Sequence, residues 1–254
     1  TTRPVFDANA SGGRDLGDLP EWDLTDLYPA PDAPELTRDL DWLDTACADL
    51  AKAYEGKLAT LDATAMRACI DAYEQIDITA GRIMSFAGLR YYQVTTDADR
   101  AKFMSDCQDR ITNATTPLVF FSLEFNRIDD ATYDTVFADA ALSRFKPVFD
   151  RMRAMKPHQL SDELEKFLHD QSVVGASAWN KLFDETMAGL EFNVDGETLG
   201  LEATLNFLTD QDRTKREAAS HTLSKVFADN IKLFSRITNT LAKDKEIDDR
   251  WRKY

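Results

Sequence analysis

The stretch PELTRDLDWLDTACADLAKAYEG, residues 34–56, has the clearest helical pattern in the chain. Its apolar residues recur at steps of three and four, which places them on one face of an α-helix. These positions are Leu36, Leu40, Leu43, Cys47, Leu50 and Tyr54. Asp32 and Glu35 form a capping-box-like start, and Pro34 suits the first turn. Gly56 is a natural left-handed stop. The sequence therefore predicts an amphipathic helix between Asp32 and Gly56.

Two further helices with the same period follow this one. Asp62 opens a helix that extends to about Gln93, and Asp97 caps the next. The short connection between the first two helices implies antiparallel neighbours. Pro117 should kink the third helix because it removes a backbone donor and crowds the preceding turn. Shorter helices are predicted at 130–140, 143–155 and 161–171.

The segment LEFNVDGETLG, residues 190–200, departs from the helical period. Phe192 and Val194 alternate with polar neighbours, and the dipeptide Asp195-Gly196 is preferred in tight type I′ turns. The segment predicts a single β-hairpin. The fold class is therefore all-α, with multi-helix antiparallel packing and one small β-hairpin near 190–200.

The remaining pattern sets the domain organisation. Helices are predicted to resume at about 200–209 and 212–253. Glycines and prolines interrupt any period before the first helix, so that segment is predicted to be irregular. Four of its residues are expected to anchor it to the body: Trp22, Leu24, Leu27 and Tyr28. The predicted parts are an irregular leader at 1–31, an amino-terminal helical domain at 32–140 and the start of a second lobe at 141–254.

Composition and charge indicate a soluble globular protein. Apolar residues make up 43% of the chain, and no run of about 18 uncharged apolar residues could span a membrane. A net charge of −15 argues against binding to nucleic acid. The first residues lack the apolar core of a secretory signal, and three cysteines without paired spacing fit a reducing compartment. We therefore predict a cytoplasmic protein without nucleic-acid or membrane partners.

The charge is unevenly distributed along the chain. Residues 1–60 hold 13 acidic and 5 basic side chains, whereas residues 212–254 hold 7 acidic and 11 basic ones. A set of solvated helix faces is the favoured interpretation. The alternative is a basic surface that meets an acidic partner.

The three histidines do not form a zinc peptidase motif. Such a motif needs His, Glu and His at positions i, i+1 and i+4 of a helix. None of His158, His169 and His221 is followed by glutamate, and none has a histidine four residues on. Glu165 and His169 could meet on one helix face, but a metal site needs three or four ligands. A helix-surface pair is the favoured interpretation.

The segment Gly175-Ala176-Ser177-Ala178-Trp179 only partly matches a nucleophile elbow, because its fifth residue is Trp and no strand is predicted before it. A helix stop at Gly175 and a helix cap at Ser177 explain it better. Each cysteine falls on the apolar phase of its helix and is predicted to be a buried hydrophobe. We therefore predict no catalytic, cofactor-binding or metal-binding residue in this chain.

Four segments in order resemble one known family. They are LPEWDLTDLYP at 19–29, KPHQLSDELEKFL at 156–168, GASAWNKLFDE at 175–185 with the hairpin EFNVDG, and NTLAKDKEIDDRWRKY at 239–254. Together they are similar to the amino-terminal part of the oligoendopeptidase F family, zinc metallopeptidases of the thimet-oligopeptidase type. Each segment alone identifies the family only weakly, but all four occur in the family's order, and together they make the resemblance specific.

The resemblance implies a function for a longer parent protein. That parent would be a zinc endopeptidase with a channel between two helical lobes, open to short peptides and closed to folded proteins. The zinc motif H-E-x-x-H would lie beyond Tyr254, so this chain would bind no zinc, would be inactive alone and would contact the missing catalytic half. Four aromatics are candidates to line the channel, although buried packing is their favoured use: Tyr91, Tyr92, Trp179 and Phe183. The alternative function is a stand-alone, non-catalytic helical interaction or scaffold module.

Overall fold

The structure, a computed structural model, describes residues 22–254. Its regular elements are helices and one two-stranded sheet, so the all-α fold class with a small hairpin is confirmed. The helices α1 to α11 are Pro34–Tyr54, Ala63–Gln93, Ala98–Thr115, Val119–Arg127, Asp130–Phe137, Lys146–Ala154, Asp162–Gln171, Ala176–Ala188, Leu201–Asn206, Arg213–Asp229 and Ile231–Arg252. The strands β1 and β2 are Phe192–Val194 and Glu197–Leu199. The part of the predicted leader before residue 22 lies outside the described residues.

Helix α1 begins without the predicted side-chain cap. Its N-cap is Ala33, whose backbone is extended (φ −63°, ψ 135°) and whose side chain cannot accept a hydrogen bond. The prediction of a cap at Asp32 was wrong, because Pro34 occupies the first turn and fixes the start of the helix one residue later. Gly56 follows the helix at φ +79°, which confirms the left-handed stop.

The predicted caps of the next two helices are confirmed. The side chain of Asp62 accepts a hydrogen bond from the backbone N–H of Ala65 at 2.8 Å. Asp97 accepts from the N–H groups of Asp99 and Arg100 at 2.9 and 3.1 Å. Each carboxylate satisfies donors that the first turn of a helix leaves free. Helices α1, α2 and α3 then pack on one another as the first layer of the fold.

Pro117 ends a helix instead of kinking it. Helix α3 stops at Thr115, a short 3-10 turn at Thr116–Leu118 contains the proline, and α4 begins at Val119. A proline lacks the N–H that would continue the ladder, and its ring crowds the preceding turn. The hydroxyl of Thr115 donates to the carbonyl of Ile111 at 2.8 Å, within the last turn of α3. The prediction of a kink within one continuous helix was therefore wrong, because α3 and α4 are separate helices on either side of the proline.

The predicted helix over 212–253 is two helices, α10 and α11, that meet at Asn230. This residue has φ −100° and ψ 3° and belongs to neither helix. Its side-chain amide donates to the carbonyl of Val226 at 2.9 Å, and its own carbonyl accepts from the N–H of Leu233 at 3.0 Å. Asparagine competes with the backbone for such hydrogen bonds, which explains why the chain turns here.

The predicted hairpin is confirmed together with its turn. Strands β1 and β2 are antiparallel and pair Phe192 with Leu199 and Val194 with Glu197. Asp195 and Gly196 have φ values of 53° and 90°, the two positive values that a type I′ turn requires.

Aromatic side chains fill the centre of the main core. Phe125 of α4 is fully buried, and its ring stacks on that of Phe149 from α6 at 4.1 Å between centroids. The rings of Tyr133 and Phe137 from α5 lie 6.1 and 5.7 Å from that of Phe125. Such pairs add to the free energy gained from burial alone. Phe121 of α4 contacts Phe125 and stacks on Tyr73 of α2, so it joins this cluster to the layer of α1 to α3.

Tyr28 anchors the segment before α1. Its side chain is 1% exposed, its hydroxyl donates to Asp39 at 2.8 Å, and the Arg82 guanidinium lies 4.3 Å from its ring centroid. Leu24 and Leu27 pack partly buried beside the core. The prediction that Trp22 also anchors the segment was wrong, because that side chain is 81% exposed. Tyr28 is therefore the fully buried residue of this attachment, and the Leu27 carbonyl adds a hydrogen bond from Arg82 at 3.1 Å.

The helices form two packing groups. The first group is residues 22–171, which contain α1 to α7 and the main core. The second group is residues 176–254, in which α8 packs on α11 and α10 packs on β1. Buried side chains of its small core include Phe192, Val194, Ala219, Leu223 and Ile237. Within residues 22–254, extensive packing between elements stays inside each group.

Among the described residues, none of the helices is both long and apolar enough to cross a membrane. The domain division predicted at residue 141 stays a prediction.

Candidate functional site

The structure keeps the three histidines apart. His158 lies in a 3-10 turn, and its Nδ1 is 3.1 Å from the backbone carbonyl oxygen of Arg252, so this nitrogen donates. Nε2 of His169 lies 3.3 Å from the hydroxyl of Thr115. His221 is exposed on α10. In the described part of the chain, no three His, Cys, Asp or Glu side chains are grouped so that they could hold a metal ion.

Glu165 has a different partner from the one that spacing suggested. It lies on α7 with His169, but its carboxylate receives two hydrogen bonds from the guanidinium of Arg252, at 2.6 and 3.0 Å. The N–H of Leu160 donates to the same carboxylate at 2.9 Å. The interpretation of Glu165 and His169 as a helix-surface pair was therefore wrong. No local signal pointed to Arg252, which lies 87 residues further along the chain.

We call the contacts around Glu165 and Arg252 the junction. Arg252 also donates to Asp248 at 2.7 Å and to the carbonyl of His158 at 3.4 Å. The side chains of Arg252 and Glu165 are only 21% and 14% exposed. A two-pronged arginine–carboxylate contact of this kind is stronger and more directional than an exposed ion pair.

Electrostatics keep both partners of the junction charged. Burial raises the pKa of Glu165, but hydrogen bonds from Arg252 and from the Leu160 N–H outweigh it, so the pKa lies below the ordinary glutamate value. The hydrogen bond to Glu165 raises the pKa of Arg252 against the opposing effect of burial. Glu165 therefore stays ionised at a lower pH than an ordinary glutamate does.

Two open clefts meet at the junction. The first has a volume of about 490 Å³ and lies between α4, the 3-10 turn at His158 and the end of α11. The second, of about 550 Å³, lies between α2, α3 and α7. Both clefts are lined by the same four residues at their common boundary: Val119, Ser122, Glu165 and Arg252. The ion pair therefore stands between two concave surfaces of a size that encloses small ligands.

Asn126 lies in the wall of the first cleft. It is 6% exposed, and its amide nitrogen donates to the side-chain oxygen of Gln159 at 3.0 Å. The side-chain carbonyl oxygen of Asn126 is buried without a hydrogen-bond partner. An unsatisfied buried acceptor is uncommon in folded proteins. The lining around Asn126 combines polar side chains such as Ser122 and Gln159 with apolar ones such as Leu123 and Met152.

The four candidate channel aromatics have different environments. Tyr91 is 2% exposed, which confirms the expectation of buried packing for this residue. Trp179 is half-buried, whereas Phe183 is 41% and Tyr92 61% exposed. The expectation of burial was therefore wrong for Tyr92 and Phe183.

The segment around Gly175 is a helix start. Helix α8 begins at Ala176 with Gly175 as its N-cap, and a helix, α7, precedes it instead of a strand. Ser177 lies inside the first turn and makes no capping hydrogen bond, so the predicted cap at Ser177 was wrong. Glycine can occupy the N-cap position without a side-chain acceptor.

The cysteines are buried as predicted. All three are free, and burial raises their thiol pKa values, to about 11 for Cys47, about 12 for Cys69 and about 11 for Cys107. A thiol is a good nucleophile only as its thiolate. At neutral pH these side chains therefore act as small apolar residues.

Comparison with known proteins agrees with this fold. The sequence model of the family described as oligopeptidase F matches residues 124–192, from within α4 to the first residue of β1. The oligoendopeptidase F structure from Enterococcus faecium is similar over 87% of this chain, with a TM-score of 0.76 and 20% sequence identity. The predicted resemblance to the amino-terminal part of oligoendopeptidase F is confirmed. The matched segment includes Glu165, whereas Arg252 lies outside it.

A second solved structure extends the comparison. It is a candidate peptidase from Chlamydophila abortus, similar over 92% of this chain with a TM-score of 0.53 and 14% identity. The chain spans 44% of the Enterococcus protein and 40% of the Chlamydophila protein. No curated protein sequence matches the chain significantly. At such identities the solved structures show a shared fold.

Proposed function

We propose that this chain is the amino-terminal helical portion of a zinc-dependent oligopeptide endopeptidase and forms one wall of its substrate channel. The observation that carries the proposal is the match of the oligopeptidase F family model to residues 124–192. The structural likeness to oligoendopeptidase F over 87% of the chain supports it, because it extends to regions that the family match does not cover. The parent's activity and its short-peptide substrates are part of the proposal.

The proposed zinc has no place among the described residues. A zinc site needs three or four suitable side chains, and residues 22–254 offer no group of three. The three histidines, which would be the natural ligands, each contact a different part of the fold. We propose that the metal and the catalytic groups lie in another part of the parent protein, which this chain would contact.

The proposed place of the chain in the parent is a concave, peptide-contacting surface. The two clefts at the junction are open, and each has both apolar and polar residues in its lining. Binding sites for small ligands usually combine these properties. A cytoplasmic location is also part of the proposal, and it is supported by three free, buried cysteines.

The test compares the intact parent with the present 254-residue chain on a ladder of peptides of increasing length. We expect the parent to cleave peptides of up to about twenty residues and to leave denatured casein intact, since a closed pocket of this kind admits only short substrates. A chelator should abolish this cleavage, and added zinc should restore it. The 254-residue chain alone should hydrolyse none of the peptides, with or without zinc.

Three results would contradict the proposal. One is efficient digestion of denatured protein by the parent, and another is cleavage that persists under chelation. The third is a parent sequence without an H-E-x-x-H motif, which would favour a non-catalytic helical module and is the quickest to check. The 254-residue chain serves as the matched control, because it has the proposed wall without the proposed metal site.

A further inference from the structure

The junction is the place where the two packing groups hold each other by polar contacts. A short segment, residues 172–175, connects α7 of the first group to α8 of the second. Extensive helix packing stays inside each group for residues 22–254. Over the same residues, the hydrogen bonds between the groups all involve Arg252, which contacts Glu165 and His158. The hydrogen-bonded part of the connection therefore consists of the guanidinium and the backbone carbonyl of Arg252.

An aromatic contact beside the junction joins the 3-10 turn at His158 to Tyr254, just after α11. The ring of His158 meets that of Tyr254 edge-on, with 4.9 Å between centroids. Lys245 of α11 lies 5.2 Å above the Tyr254 ring and also lines the first cleft. The end of α11 is thus seated against the first group through a few neighbouring side chains.

A partly buried ion pair at such a place favours two arrangements over those between them. When Glu165 and Arg252 are paired, each satisfies the charge of the other in a site from which most solvent is excluded. When they separate without leaving the site, Glu165 is a largely buried charge that keeps only the Leu160 N–H, and Arg252 keeps only the more exposed carboxylate of Asp248, which is costly. The pair is therefore either closed, or open with both side chains in water, and intermediate positions are disfavoured.

We propose that the Glu165–Arg252 ion pair is a latch between the two packing groups, with residues 172–175 as the pivot. Opening the latch moves the end of α11 away from α7 and joins the two clefts, which share Glu165 and Arg252 at their boundary. The closed latch divides this surface into two short compartments, and the open latch gives one longer groove. The proposed latch is inferred from contacts within this chain and is independent of the proposed function.

The test measures the distance between the two groups in the full 254-residue chain. Spin labels are attached at Thr37→Cys on α1 and Ser224→Cys on α10, two exposed positions in different groups. The native cysteines are buried with raised thiol pKa values, so they react slowly with the label. Double electron–electron resonance then gives the distribution of distances between the labels.

We expect one narrow distance population in the otherwise unchanged protein. Glu165→Gln keeps the size of the side chain and removes its charge, so a second population at longer distance should appear. Arg252→Gln should shift the distribution in the same direction, because it also removes the contact to the carbonyl of His158. Arg252→Lys keeps a charge without the two-pronged geometry and should give a smaller long-distance population than Arg252→Gln.

The matched control is Asp106→Asn, which removes the ion pair between Lys102 and Asp106 on α3. That pair is exposed and lies within one helix, so its loss should leave the distance distribution unchanged. Circular dichroism of each variant shows whether the helices remain folded. The latch is refuted by an unchanged distribution in folded Glu165→Gln and Arg252→Gln. It is also refuted by a broad distribution in the unchanged protein, or by an equal shift in the control.

Discussion

Replacing Phe125 with alanine is expected to destabilise the chain by about 3–5 kcal/mol. Phe125 is fully buried at the centre of the aromatic cluster, where it stacks on Phe149 and meets the rings of Tyr133 and Phe137 edge-on. Alanine would leave a cavity that three large neighbouring rings cannot close by small shifts. Such a loss is a large part of the free energy of unfolding of a typical domain, about 5–15 kcal/mol. Urea unfolding followed by circular dichroism measures it.

Phe167→Ala is the matched control for this change. Phe167 lies on α7 and is 57% exposed, so its loss should change the free energy of unfolding by about 0.5 kcal/mol or less. If the two variants were destabilised equally, or if Phe125→Ala cost less than about 1 kcal/mol, the assignment of Phe125 to the centre of the core would be wrong.

Replacing Arg153 with methionine is expected to cost about 2–4 kcal/mol, because the partly buried carbonyl of Ile128 loses its side-chain donor and that of Phe125 keeps only a long hydrogen bond from the Ile128 N–H. The guanidinium of Arg153 donates to the carbonyl oxygens of Phe125 at 2.9 Å and Ile128 at 2.8 Å. It also lies 4.4 Å from the ring centroid of Tyr133. Methionine keeps the apolar stem and removes the donors, so the loss measures the hydrogen bonds more than the packing. The same urea titration applies.

The control separates these hydrogen bonds from the ion pair that Arg153 makes with Asp130. Asp130 is 85% exposed on its side chain, whereas that of Arg153 is only 9% exposed. Because water screens the carboxylate, Asp130→Asn should cost less than about 1 kcal/mol. If it destabilised the chain as much as Arg153→Met did, the ion pair would be the dominant interaction, and the hydrogen bonds to the two carbonyl groups would contribute little.

Local signals in the sequence were sufficient for most of the secondary structure. Asp62 and Asp97 cap their helices because a short carboxylate next to a helical run has N–H donors within reach. Asp195 and Gly196 turn the hairpin because few dipeptides accept two positive φ values. In each case the deciding interaction lies within a few residues of the signal.

The errors arose where two local signals competed. Asp32 and Pro34 both mark a helix start, and the proline determined the position. Asn230 interrupts an unbroken apolar period because its side chain bonds to the preceding turn, whereas a periodicity count treats it as one more polar residue. At Pro117, loss of the backbone donor ended the helix completely. The strength of each signal depends on the geometry of the neighbouring turn.

Residue types and short spacings were enough to predict the helical class, the hairpin and the absence of a zinc motif around the histidines. Only the tertiary structure paired Glu165 with Arg252 and placed the two clefts on either side of them. No rule of spacing could select that arginine among the 30 basic residues of the chain. Arg252 pairs with Glu165 because the last turn of α11 lies next to α7. The course of the chain that brings these helices together depends on packing contacts in both groups.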